Sequence, residues 1–72
     1  MSSVVALGEA QELDGFALAG VRVIRADTDD SMIAAFDELD DDVGLIILTE
    51  QSARALRAPL DHRPHLLRVV LP

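Results

Sequence analysis

The chain has 72 residues, half of them hydrophobic, with no cysteine and a formal net charge of −7. That length makes one domain, residues 1–72, burying about 60% of its unfolded surface, and the apolar content favours folding over disorder. Absence of cysteine excludes disulfides and thiol chemistry, the acidic balance argues against nucleic-acid or anionic-membrane surfaces, and no apolar run approaches the roughly 20 residues of a spanning helix.

All six basic residues are arginine, so lysine-dependent mechanisms are excluded as well. The opening "MSSVVALG" lacks a basic region, and its apolar run is too short for a signal peptide. A soluble, cytoplasmic protein is expected.

Residues Ser3 to Leu7 form a short apolar run ending at Gly8, the first predicted strand. The stretch "LDGFALAG", Leu13 to Gly20, then reads as a helix with a single charge, Asp14. On a helical wheel Leu13, Phe16, Ala17 and Gly20 share the face that packs on the sheet. The outward side carries Gln11, Glu12 and Asp14, but also Gly15, Leu18 and Ala19. Gly20 suits the C-terminal cap of this helix. Val21 to Ala26 is a second strand, and Arg22 and Arg25 mark it as an edge.

A second helix is predicted over Asp29 to Asp40, with Met32, Ile33, Phe36 and Leu39 on one face. Thr28 is its N-cap, and Asp29 and Asp30 occupy the first turn, where the helix dipole favours anions. The acids of "DELDDD", Asp37 to Asp42, are unfavourable at the other end, which is expected to fray. Val43 to Leu48 is a continuous apolar run, as expected for a strand buried on both faces. Thr49 caps a third helix with Ala53, Leu56 and Leu60 on a common stripe, and Pro59 ends its regular part. Leu66 to Leu71 carries Arg68 and is the second edge strand.

The pattern is βαβαβαβ, an α/β domain. With the first and third strands central, the parallel sheet has the order 2-1-3-4. Right-handed crossovers then place the first helix on one face and the other two on the opposite face. One helix cannot cover a face of four strands, so apolar surface there awaits a partner or a second copy.

Ligands of such sheets bind beyond the carboxyl ends of the strands, where the strand order reverses. That crevice is expected between Gly8-Glu9 and Thr49-Glu50, with no His, Lys, Arg or Cys in it. "GEAQELDG" is neither a dinucleotide nor a Walker fingerprint, and Glu9 and Glu50 read as ordinary helix N-terminal acids. A phosphate-accepting receiver domain would need an aspartate after the third strand and a lysine from a fifth, and the chain has Thr49-Glu50 and no lysine. "DHRPH", with Asp61, His62 and His65, lacks a third convincing metal ligand. "DELDDD" lacks the spacing and glycine of a calcium loop. No cofactor and no metal are expected.

"GFALAGV" (Gly15 to Val21) after a strand ending in Gly8, paired with "DDVGLIILTE" (Asp41 to Glu50), resembles the F-subunit family of the V-type and archaeal A-type ATPases and ATP synthases. The likeness covers essentially the whole chain, through a closing strand that ends at Pro72. It implies a small noncatalytic α/β domain of the rotary central stalk, bound to the coiled coil of the stalk's D-subunit. Placement would be cytoplasmic and peripheral to the membrane, with an influence on ATP hydrolysis and rotary coupling. Family members usually continue through a linker into a C-terminal helix. The candidate partner interface is Gly15, Leu18 and Ala19 on the first helix, with Thr49 and Glu50 at the end of the third strand. The alternatives are a stand-alone interaction module of the same fold and a degenerate receiver-like domain.

Overall fold

A computed structural model describes residues 3–13 and 20–72. Gly15, Phe16, Ala17, Leu18 and Ala19, and with them the predicted faces of the first helix, lie outside the described residues. The elements are β1 (Ser3–Gly8), α1 (Ala10–Leu13), β2 (Val21–Arg25), α2 (Asp29–Asp37), β3 (Val43–Leu48), α3 (Glu50–Ala55), α4 (Arg57–Leu60) and β4 (Leu67–Val70). All strand pairs are parallel, and the order is β2-β1-β3-β4. The two Arg-free strands are central because a central strand is covered on both faces and tolerates no free charge.

Pairing sets which side chains share a face. Val5 lies beside Ile46, and Leu7 beside Leu48 and Ile24. These pack with Met32, Phe36 and Leu39 from α2 and its end, and with Leu56 and Leu60 around α3 and α4, in one core. Ala6 and Leu13 are also fully buried but belong to the other side of the sheet, where α1 meets β1 and β2. That division agrees with right-handed crossovers. Farther along the same side, Leu67 and Val69 of β4 are 69% and 48% exposed.

Gly20 precedes β2 with φ of +90°, a left-handed conformation that a side chain would strain. Three details differ from the sequence-based expectation. Ile33 is exposed, because the stripe facing the core is Met32, Phe36, Leu39, and Ile33 falls on its flank. The second helix ends at Asp37 rather than Asp40, with Glu38 as C-cap and no basic residue in its last turn. The third helix is two pieces broken at Leu56 rather than one run ending near Pro59. Proline has no N–H to donate and its ring crowds the carbonyl four residues back, that of Ala55, so Pro59 fits only the first turn of a new helix. The break does not cost the core its anchor, since Leu56 is fully buried.

Candidate functional site

Three strand-to-helix junctions meet on one rim of the sheet. At two of them the same local device starts the helix. Thr28 and Thr49 are extended N-caps, each accepting from the backbone N–H three residues on, and Ser31 and Ser52 complete the reciprocal bond to the cap backbone. These capping boxes satisfy helix N–H groups that would otherwise lack partners. Both threonines stand where the sequence predicts caps.

The junctions are also stitched to one another. Ser52 Oγ donates to the Leu7 carbonyl at 2.7 Å, which ties the start of α3 to β1 across the buried rim. Thr49 Oγ1 donates to a carboxylate oxygen of Glu9, joining the β1 and β3 junctions. The Ala10 N–H donates to Asp27 Oδ1 at 3.3 Å, and Gln51 Nε2 donates to Asp29 Oδ1 at 3.4 Å. Gly8 is required here for space. A Cβ at that position would overlap Thr49 Cγ2 and Oγ1, so only glycine lets β1 end beneath the Thr49 cap.

Glu9, Glu12, Thr49, Glu50, Gln51 and Arg54 line a cleft of about 340 Å³ at this rim, and Leu71 and Pro72 complete its lining. Arg54 corrects the expectation of a crevice without cations. It stands in the last turn of α3, one turn beyond Glu50, and a reading confined to the strand ends does not reach it. Thr49 is buried and its hydroxyl is already engaged by Glu9 and Ser52, whereas Glu50 is exposed. Thr49 therefore organises the junction, and Glu50 is the side chain it presents outward. Sequence reasoning misses the Glu9–Thr49 bond, because two residues 40 positions apart meet only once β1 and β3 pair.

The arrangement is structural in its chemistry. The hydroxyls of Thr49 and Ser52 spend their protons on Glu9 and the Leu7 carbonyl, so neither is poised as a nucleophile. His62 and His65 are exposed on the loop before β4. Among the described residues no three His, Cys, Asp or Glu side chains are grouped to hold a metal ion.

The sequence profile of the ATP synthase (F/14-kDa) subunit family matches residues 4–72. The chain belongs to this family. As a family member it is part of a V/A-type ATPase complex, and so works among protein partners. The crystal structure of the V-type ATP synthase F-subunit from Archaeoglobus fulgidus has the same fold, with a TM-score of 0.78 and 22% sequence identity. That likeness covers 99% of this chain and 98% of that one. No curated protein sequence matches the chain. No helix among the described residues of this family member is long and apolar enough to cross a membrane.

Proposed function

We propose that the chain is a noncatalytic component of the rotary central stalk, docked on the coiled coil of the D-subunit and modulating the coupling of rotation to ATP turnover. The family match over residues 4–72 carries this reading. The rim cleft supports it, because its buried hydroxyls are committed to holding junctions together rather than to attacking a substrate. Docking would use Gly15, Leu18 and Ala19, together with Thr49 and Glu50 at the end of the third strand, in the cytoplasm and at the membrane only through the rest of the complex.

Binding to the cognate D-subunit tests it. Leu18→Glu is expected to weaken capture of that coiled coil by about tenfold while the thermal melt stays near that of the parent, since a charge in a close apolar contact is costly. Binding of Leu18→Glu equal to the parent would remove the first helix from the interface. No capture by the parent chain would leave the stand-alone module as the better reading. The isolated protein is expected to release no phosphate from ATP above a heat-treated control, and hydrolysis that persists through purification would overturn the noncatalytic assignment.

A further inference from the structure

Charge is divided unevenly along the chain. Residues 1–50 carry two arginines against twelve acids, and residues 51–72 carry four arginines against one, Asp61. From His62 to Pro72 there is no acid at all. That acid-free segment includes β4, which is exposed at every position and is an edge of the sheet.

The backbone of β4 is half-used. Leu71 N–H donates to the Leu48 carbonyl at 2.8 Å. In a parallel ladder alternate residues turn both backbone groups to the same neighbour, so Val69 and Leu71 face β3, and Arg68 and Val70 turn theirs to the open side. Register with β3 puts Leu67 and Val69 on one face, continuing the apolar surface of Leu45 and Ile47, and Arg68 with Val70 on the other. An incoming strand would therefore meet an apolar stripe on one face, the Arg68 cation next to Val70 on the other, and open N–H and C=O groups between them.

We propose that β4 is a strand-addition site for an extended segment of another protein in which apolar residues alternate with acids. Main-chain bonds to Arg68 and Val70 hold the segment, its apolar side chains cover Leu67 and Val69, and its carboxylates face Arg68. A second copy of this chain fits worse. Both β4 strands would bring arginine and neither an acid, so the pair lacks the charge complement that Arg68 calls for.

The probe is a capped peptide alternating valine with glutamate, compared with one alternating valine with arginine, read by amide hydrogen exchange on the intact chain. Saturable protection of the Arg68 and Val70 amides by the glutamate peptide alone is expected. Arg68→Glu should weaken that binding about tenfold and admit the arginine peptide instead, because an attractive cross-strand pair becomes a repulsive one. Arg68 is exposed, and unchanged exchange at the core amides of β1 confirms that the variant is folded. Three outcomes overturn the proposal: no protection at Arg68 and Val70, equal binding by Arg68→Glu, or protection that rises with protein concentration in the absence of peptide. The last would assign the edge to a second copy.

Discussion

Gly8 and Thr49 meet so closely that no side chain fits between them, and each makes sense only beside the other. Gly8→Ala inserts a methyl group into the space of the Thr49 side chain. It is expected to destabilise the fold by about 1–3 kcal/mol, the usual cost of overpacking a closed site, measured as a lower urea midpoint at unchanged slope. Thr49→Val keeps the shape and removes the hydroxyl. Its loss leaves the Ser52 N–H without its cap and Glu9 without its donor, so a cost of about 1–2 kcal/mol is expected. The parallel change Thr28→Val removes the same cap at an exposed position, where water replaces it, and should cost less. Equal costs at the two sites would show that burial and the Glu9 link add nothing to the Thr49 cap.

At the scale of elements, the broken third helix keeps a continuous apolar stripe despite its break. Leu56, at the joint between α3 and α4, is fully buried, and its N–H donates to the Ser52 carbonyl at 2.9 Å. Leu56→Ala is expected to cost about 2–5 kcal/mol, because it removes a fully buried side chain from the core. Ile33→Ala, on the flank of α2, should fall within about 0.5 kcal/mol of the parent. The pair of melts distinguishes the observed stripe from the wider one that periodicity suggests. Phe36 has a second partner besides the core, since the Arg63 guanidinium lies 5.1 Å from its ring centroid while Arg63 also donates to the Leu39 carbonyl at 2.9 Å. This contact pins the loop before β4 to the end of α2, where the acids of Asp37 to Asp42 would otherwise weaken the helix terminus.

For the whole molecule the dominant feature is charge. A net charge of −7 on 72 residues opposes compactness through self-repulsion. Sodium chloride raised from low ionic strength into the physiological range should raise the melting temperature, because screening weakens repulsion between exposed charges more than it weakens apolar burial. A falling melting temperature over that range would mean that attractive pairs outweigh repulsion. The same charge keeps copies apart, while the arginine-bearing C-terminal third remains able to attract an acidic partner.

The fold was legible in the sequence to a large extent because its signals are local. Unbroken apolar runs marked β1 and β3 as central, Arg22, Arg25 and Arg68 marked β2 and β4 as edges, and threonine placed both caps. Strand order follows from those identities because consecutive strands tend to be neighbours, and crossover handedness then sets the face of each helix. Long-range contact decided the rest. The Glu9–Thr49 bond, the need for glycine at position 8, and Arg54 in the rim cleft depend on residues brought together by sheet pairing, which no local pattern encodes. The break at Leu56 lay within reach of the sequence, through Pro59, but its place was settled by where the stripe must touch the sheet. Burial is the physical reason for the division: a residue's type records whether it can be buried, and only the assembled sheet determines what it is buried against.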